Sequence, residues 1–189
     1  MFGVPKSISI LNKVNSFISK DKNKSKYRVI VTPPYTLIES FTRYFKNKKI
    51  IIGSQNCYQK DKFSSNTAAV SSFMLKSVGA KYVIVGHSDN RAEGDTDSML
   101  KDKVKLALRN NLKVVFCIGE NKNQKKNNLT LNTLKKQLEK VLEKNFNLNN
   151  IIVAYEPIWS IGSGKIPNQQ DLFKTINHIK KILKKIFKK

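Results

Sequence analysis

The sequence is poor in cysteine and has no long apolar run. Its two cysteines, Cys57 and Cys117, lie in no metal-ligand spacing, and its two histidines, His87 and His178, are far apart. This usage indicates a reduced, cytoplasmic protein without a metal site. No apolar run approaches the ~20 residues that a membrane-spanning helix requires. The amino-terminus also lacks the pattern of a signal peptide, so we expect no membrane partner.

Acidic residues are scarce as well. The sequence has 13 Asp and Glu against 36 Lys and Arg, which gives a formal net charge of +23. Such a balance is typical of proteins that bind nucleic acid or membrane surfaces. Arginine, which makes the bidentate contacts to guanine and phosphate, occurs only at 28, 43, 91 and 109, which leaves 32 lysines among the 36. Because these lysines are spread along the chain, we expect no specific nucleic-acid partner, although weak adhesion at low salt is expected.

Helical and strand patterns alternate along the chain, which is typical of an α/β protein with a buried parallel sheet. The 189 residues, 40% of them hydrophobic, suit a single domain, 1–189, with a sizeable core. Apolar runs predict strands at 28–31, 49–52, 81–85, 113–117 and 151–154. Helical patterns occur at 7–19, 36–45, 70–78, 97–109 and 129–143.

Two helix starts and two biased tracts complete this pattern. Thr36 and Glu39 have the spacing of a capping box at the start of the second helix. Asn168 is the predicted cap of a last helix, which ends in a lysine-rich tail. The Lys/Asn tracts 121–128 and 180–189 are low in complexity, and no segment has the composition of an interdomain linker.

The most informative segment is Ala154-Tyr155-Glu156-Pro157-Ile158-Trp159-Ser160-Ile161-Gly162-Ser163-Gly164-Lys165. It begins where the apolar strand 151–154 ends, and its glutamate is followed by a hinge-like turn and a Gly-Ser-Gly tip. This order favours a general base with a mobile lid, because a rigid strand end holds the base in place while the lid moves. The alternative is a strand-end glutamate followed by an ordinary turn.

A second apolar strand ends in Gly86-His87-Ser88. A helix that begins at Ser88 would disfavour a charged imidazole, because the amino end of a helix carries partial positive charge. A lone histidine beside an apolar run is more often a core or capping residue. The carboxyl ends of parallel strands meet at one edge, however, so pairing with Glu156 favours a catalytic role for His87.

Four stretches resemble the triosephosphate isomerase family: 53–57, 83–91, 114–120 and 154–165. The resemblance implies an α/β fold of the TIM (β/α)8-barrel family and the interconversion of dihydroxyacetone phosphate and glyceraldehyde 3-phosphate. It implies that Glu156 moves a proton between carbons and that His87 is the neutral group that polarises the substrate carbonyl, roles that are taken from the family. No cofactor and no metal are implied, since no hydride moves and hydrogen bonds stabilise the intermediate.

The same resemblance implies a lid at 158–166. Pro157, Ile158 and Trp159 would form its hinge, and the stretch from Gly162 to Ser163 would close over the substrate phosphate with backbone N–H groups. Glu120 would either accept the indole N–H of the hinge tryptophan or be a solvated turn carboxylate, and the sequence leaves both alternatives open.

The resemblance further implies a homodimer. Thr67 matches a threonine that reaches the active site of a neighbouring subunit in the family. Ala69 and Asn90 stand where the family has a glutamate and an arginine. Since both members of a charge pair are absent together, we expect a weakened dimer.

The resemblance covers nearly the whole chain but not the whole barrel. About five strands are predicted where the barrel has eight, and we expect the first, seventh and eighth to be absent from this chain. The active-site lysine and most phosphate-binding loops would be absent with them. Two functions are therefore open: an active triosephosphate isomerase, or a catalytically impaired remnant or fragment that needs a complementing polypeptide and only binds or assembles.

Overall fold

A computed structural model describes residues 4–46, 48–60 and 65–188. Its sheet has five parallel strands in chain order, which are β1 Val29–Val31, β2 Ile50–Ser54, β3 Tyr82–Val85, β4 Lys113–Ile118 and β5 Ile151–Tyr155. Every predicted strand is confirmed to within two residues at each end. All five strands point the same way, so their carboxyl ends lie along one edge.

Helices connect the strands. They are α1 Val4–Lys20, α2 Tyr35–Tyr44, α3 Ser72–Ser77, α4 Ser88–Ala92, α5 Asp97–Arg109, α6 Lys122–Lys126, α7 Thr130–Val141 and α8 Gln169–Phe187. Short 3-10 turns occur at Leu148–Asn150 and Ile158–Ser160. In the described ranges no helix is both long enough and apolar enough to cross a membrane.

The predicted capping box at the start of α2 is wrong. The N-cap is Pro34, without a side-chain bond, and the Leu37 N–H donates to the Pro34 carbonyl at 2.9 Å. The prolines before Tyr35 keep the chain extended, and the fixed φ of proline suits the start of a helix. The helix therefore begins at Tyr35, and Thr36 falls inside its first turn. Glu39 instead contacts Arg43 one turn later, at 2.6 Å.

A capping box occurs elsewhere, in the Lys/Asn tract 121–128. Asn121 Oδ1 accepts the Gln124 N–H at 2.9 Å, and Gln124 Oε1 accepts the Asn121 N–H at 2.8 Å. The two reciprocal bonds satisfy donors that the helix start would otherwise leave free, so part of this tract forms α6. The predicted cap of the last helix is confirmed, since Asn168 accepts the Asp171 N–H at 2.8 Å.

The hydrophobic core lies between the sheet and the helices. One face of the strands and the facing helix stripes supply fully buried side chains, which include Val83, Val85, Val114, Phe116, Leu100, Val104, Leu134 and Leu138. Burying one such side chain contributes about 1.5–3 kcal/mol to the free energy of unfolding. The core therefore fixes the strand ends on which the candidate site is built.

The opposite face of the sheet is open. Ile152 on β5 is 46% exposed. Ile84 and Val115 line a hollow on the same face. Within the described ranges, β1 and β5 each pair with one neighbouring strand only. The molecule is thus an incomplete barrel with apolar side chains on its inner face and two strand edges available for pairing.

Candidate active site

His87 stands at the carboxyl end of β3. Gly86, which joins the histidine to the strand, has φ +79°, a conformation that L side chains rarely adopt. His87 is the N-cap of α4, and its Nδ1 accepts the backbone N–H of Asp89 at 3.3 Å. The predicted helix start at Ser88 is confirmed.

Glu156 follows β5 directly. Its backbone N–H donates to the Ile118 carbonyl at 2.8 Å, which continues the β4–β5 pairing by one residue. Its Oε1 lies 3.1 Å from His87 Nε2, and the two side chains are 27% and 33% exposed. The structure therefore brings together the two side chains that the sequence singles out, on a partly buried strand edge that a small molecule can reach.

The hydrogen bonds determine where a neutral His87 carries its proton. Nδ1 accepts the Asp89 N–H, so the proton lies on Nε2, which donates to the Glu156 carboxylate. Asp89 Oδ2 also lies 3.4 Å from Nδ1, a contact that a charged imidazole would favour. That carboxylate is on a side chain that is 81% exposed, whereas the N–H is fixed by α4, so the tautomer that fits these contacts has its proton on Nε2. An Nε2–H donor beside a carboxylate can carry out acid–base chemistry on one ligand.

Two hollows flank this pair. One, of about 470 Å³, is lined by His87, Gln55 and Asn56, and the other, of about 460 Å³, is lined by Glu156. Ile84 lines both, so they meet at the inner face of β3. Their size suits a small molecule. A hollow of about 570 Å³ lies at the amino ends of the strands, away from the paired side chains, and we do not assign it to the site.

Cys117 lines the Glu156 hollow without being a candidate nucleophile. Burial, and then the charge of Glu156, raise the pKa of its thiol to about 11. The thiol is therefore protonated near neutral pH, and a thiol is a poor nucleophile. Cys57 is buried too, and both cysteines are free.

Gly119, just after β4, allows the backbone of Glu156 to come close. A Cβ at this position would overlap the Glu156 carbonyl. The Gln137 amide holds the glycine, since Oε1 accepts its N–H and Nε2 donates to its carbonyl, both at 2.9 Å. Gly119 lies in the stretch 114–120 that the sequence singles out, but its close approach to Glu156 and the part of Gln137 were not predicted. The available signal was a glutamine on the apolar stripe of α7, next to Leu134 and Leu138.

Arg91 joins the ends of β3 and β4. Its Nε donates to the Gly86 carbonyl at 2.8 Å, and its Nη2 donates to the Cys117 carbonyl at 3.2 Å. Its Nη1 lies 3.4 Å from Asp97, and the guanidinium lies over the Phe116 ring. Burial lowers the pKa of Arg91 while the Asp97 charge opposes that shift, so the group stays charged. One side chain therefore links the ends of β3 and β4 beside the histidine, in addition to the backbone pairing of the two strands.

A buried ion pair supports the turn after β2. Lys103 Nζ lies 2.7 Å from both carboxylate oxygens of Asp95, and these side chains are 4% and 10% exposed. The same ammonium donates to Asn56 Oδ1 at 3.1 Å, and that oxygen also accepts the Cys57 N–H at 2.8 Å. Because Asn56 lines the His87 hollow, the ion pair fixes one wall of the site.

The hinge segment rests on Glu120. Trp159 Nε1 donates to its carboxylate at 2.7 Å, and the Tyr155 hydroxyl donates to it at 3.1 Å. Pro157 precedes the 3-10 turn, and the Ile158 N–H donates to the Glu120 carbonyl at 3.1 Å. Glu120 is fully buried, so the alternative of a solvated turn carboxylate is wrong, and the predicted indole bond is confirmed. Burial and then the Glu120 charge raise the pKa of Tyr155, which keeps its hydroxyl a donor.

The loop 158–166, which the sequence predicts to be a lid, is bonded mainly to itself. The Ser163 N–H and hydroxyl both donate to the Ser160 carbonyl, at 3.2 and 3.0 Å. The tip is exposed, and Gly162, with φ +65°, has open space around the position that a Cβ would take. Ser160 and Ile161 line the Glu156 hollow. The tip of the loop therefore faces solvent, with its base beside the Glu156 carboxylate.

The residues expected at a subunit contact lie on the surface or near it. On the loop after β2, Thr67 is exposed and Ala69 is half-buried. Asn90 belongs to α4 and lines the His87 hollow. The loop and the hollow are thus on the same side of the molecule as the carboxyl end of β2, which precedes the loop.

Fold and site together define a class: α/β-barrel domains with an acid–base pair at the carboxyl ends of their strands. The family model described as triosephosphate isomerase matches residues 4–189, and the chain belongs to that family. The resemblance seen in the sequence motifs is confirmed.

Individual relatives carry the name of the same family. A triosephosphate isomerase of Bradyrhizobium diazoefficiens is 36% identical over 160 residues, which are 84% of this chain and 63% of the relative. One of Bacteroides fragilis is 39% identical over 160 residues, which are 84% of this chain and 62% of the relative. The crystal structure of triosephosphate isomerase from Bartonella henselae superposes with a TM-score of 0.87 at 30% identity, covering 99% of this chain and 73% of that one. The chain thus spans less than two thirds of the length of the first two relatives.

Proposed function

We propose that this protein is a triosephosphate isomerase that interconverts dihydroxyacetone phosphate and D-glyceraldehyde 3-phosphate. The observation that carries the proposal is the 3.1 Å contact between His87 Nε2 and Glu156 Oε1 at the ends of β3 and β5. The substrate class comes from the family and from the names of the relatives.

Proton transfer is the chemical step. Glu156 removes a proton from the carbon beside the substrate carbonyl, which gives an enediolate. The Nε2–H of His87 donates to the developing oxyanion and then moves protons between the two oxygens. Glu156 returns its proton to the neighbouring carbon. No hydride leaves the substrate, so the reaction requires no nicotinamide cofactor, and since hydrogen bonds stabilise the enediolate it requires no metal.

The lid serves this step by excluding water. Pro157, Ile158 and Trp159 act as its hinge, and the backbone N–H groups of Gly162 and Ser163 donate to the substrate phosphate when the loop closes. A site without bulk water strengthens each hydrogen bond to the enediolate. The bonds within the lid support this role, because a loop bonded to itself can move as one piece.

A coupled isomerase assay on the protein as its cells make it tests the base. Glu156→Gln removes the base, and Glu156→Asp retracts it by one methylene. We expect kcat to fall about 10²–10⁴-fold in the glutamine variant, the usual contribution of a positioned acid–base group. Glu139→Gln, on the exposed face of α7, is the matched control and should keep full activity. Unchanged turnover in both Glu156 variants would exclude this residue as the base.

We further propose that the protein acts in glycolysis and gluconeogenesis, as a cytoplasmic homodimer in which Thr67 contacts the neighbouring subunit. Two free, buried cysteines are typical of a reducing compartment. Ala69 and Asn90 cannot form an ion pair, so the dimer should dissociate readily. Sedimentation equilibrium of Thr67→Arg tests the contact, and a dimer as stable as that of the unchanged protein would exclude it.

A further inference from the structure

The Trp159 ring is held from two directions. At its edge, Nε1 donates to Glu120 at 2.7 Å. Over its face, Lys125 Nζ lies 5.7 Å from the ring centroid. An indole has a positive N–H edge and a negative face, so an anion at the edge and a cation over the face both attract it. The hinge side chain is therefore seated between opposite charges.

The same ammonium reaches the other end of the lid. Lys125 Nζ lies 3.0 Å from Asp171 Oδ2, in the first turn of α8. Asp171 is bonded to Asn168 twice, through its own N–H at 2.8 Å and through its carboxylate at 3.0 Å. Asn168 follows the lid by two residues. The hydrogen bond from Lys125 is the main reason that the pKa of Asp171 is lowered.

The position of Lys125 makes it a fixed point for both contacts. It belongs to α6, whose start is held by the capping box of Asn121 and Gln124. Glu120, which binds the indole edge, comes directly before that cap. The anion and the cation that hold Trp159 are thus on one short, bonded segment, separate from the lid itself.

We propose that Lys125 is a positioning residue that couples the two ends of the lid. It contacts the Trp159 face at one end and the Asp171 carboxylate just beyond the other. The inference takes the identity of the lid from the proposed function, whereas the coupling depends only on these contacts. Because one ammonium contacts both ends of the lid, loss of its contact with Trp159 weakens its contact with Asp171, and the reverse also holds. The loop therefore opens and closes as a unit.

The expected effect is modest. The Lys125 and Asp171 side chains are 38% and 48% exposed, so water screens the ion pair. A partly exposed cation–π contact corresponds to a change of roughly two- to fivefold in an equilibrium. We call Trp159 seated when its ring keeps the Glu120 contact and released when it has left that contact. We therefore expect loss of the ammonium to raise the ratio of released to seated Trp159 roughly two- to fivefold, without unfolding the domain.

Trp159 is the one tryptophan of the sequence, so it can be observed directly. In the full chain labelled with 5-fluorotryptophan, 19F NMR and its relaxation dispersion report the ratio and the exchange rate of the hinge without substrate. Lys125→Met should shift the ratio, and Lys125→Arg should restore it. Lys126→Met, which removes the same charge from the exposed next residue, is the control. A Lys125→Met spectrum that matches the control would overturn the proposal.

A second variant tests whether the two ends of the lid are coupled. Asp171→Asn removes the carboxylate at the far end and leaves the Trp159 face untouched, yet it should also raise the released fraction of Trp159. Its effect and that of Lys125→Met should be non-additive in the double variant, because both act through one ammonium. Additive effects, or no effect of Asp171→Asn on the fluorine signal, would refute the coupling.

The two proposals fail in different experiments. If the unchanged protein shows no isomerase activity while Lys125→Met still shifts the fluorine signal, the coupling stands and the proposed function falls. In an active protein, kcat should change in Lys125→Met more than in Lys126→Met at equal thermal stability. A merely structural role for Lys125 would lower the thermal midpoint and leave the exchange rate of Trp159 unchanged, which would overturn the inference.

Discussion

Replacing Gly119 by alanine tests how closely the end of β4 controls the position of Glu156. Gly119 has no positive φ, so alanine suits its backbone conformation. The obstacle is space, because the new Cβ would overlap the carbonyl oxygen of Glu156 and lie 2.8 Å from its carbonyl carbon. The glycine cannot withdraw freely, since Gln137 binds both its N–H and its carbonyl. The backbone of Glu156 must therefore move.

The size of the movement follows from the overlap. Real Cβ atoms keep at least 3.0 Å from such neighbours, so the end of β5 must shift by on the order of 1 Å. A misplacement of about 1 Å at a reacting group costs ~10²-fold in rate. Overpacking at a well-packed site costs about 1–3 kcal/mol in the free energy of unfolding. We expect kcat to fall about 100-fold in a protein that still folds.

The assay is steady-state isomerisation, with the thermal midpoint measured on the same samples. Gly94→Ala is the control, because Gly94 has φ +115° and no neighbour within 4 Å of an added Cβ. That variant has backbone strain without overlap, so it should lose about 1 kcal/mol of stability and keep its kcat. If Gly119→Ala kept kcat within threefold of the control, the close approach would not determine the position of Glu156.

Two further predictions concern the buried ion pair and the open sheet. Lys103→Met should lower the free energy of unfolding by about 3–5 kcal/mol, because it leaves the Asp95 carboxylate buried without its partner. Asp95→Asn added to it should recover part of that loss in urea denaturation, and a double variant no more stable than the single one would contradict this account. A polypeptide of residues 1–189 alone should self-associate through its inner face, and Ile152→Lys, at a position that is 46% exposed, should reduce that association. Sedimentation velocity that shows a compact monomer for both would show the reasoning to be wrong.

The strands and the two central side chains were predictable because their signals are local. Apolar runs mark buried parallel strands, and the rule that carboxyl ends of such strands share an edge was enough to expect His87 and Glu156 together. The bond between Trp159 and Glu120 was one of two alternatives, because sequence alone does not tell whether a turn carboxylate is buried.

The missed features depend on contacts between distant residues. Gln137 binds Gly119 across 18 positions, and Lys103 binds Asn56 across 47. The composition of the tract 121–128 indicated a low-complexity segment, although its residues Asn121 and Gln124 form a capping box. The two long-range pairs form only when the helices pack on the sheet, and the glutamine on the apolar stripe of α7 was the one local signal for either of them.

Arg91 shows where the lysine-rich composition of this chain meets a physical limit. Lysine is the common cation here, yet an ammonium is a point charge and cannot present donors to Gly86, Cys117 and Asp97 in one plane. A Cβ at Gly86 would lie 3.0 Å from the Arg91 Nη2 and 3.1 Å from the Cys117 carbonyl oxygen, so the guanidinium and the backbone of β4 both leave room only for glycine. A lysine at position 91 would keep the charge but lose the planar set of donors that links the ends of β3 and β4, so the bias toward lysine elsewhere in the chain could not extend to this residue without loss of these contacts.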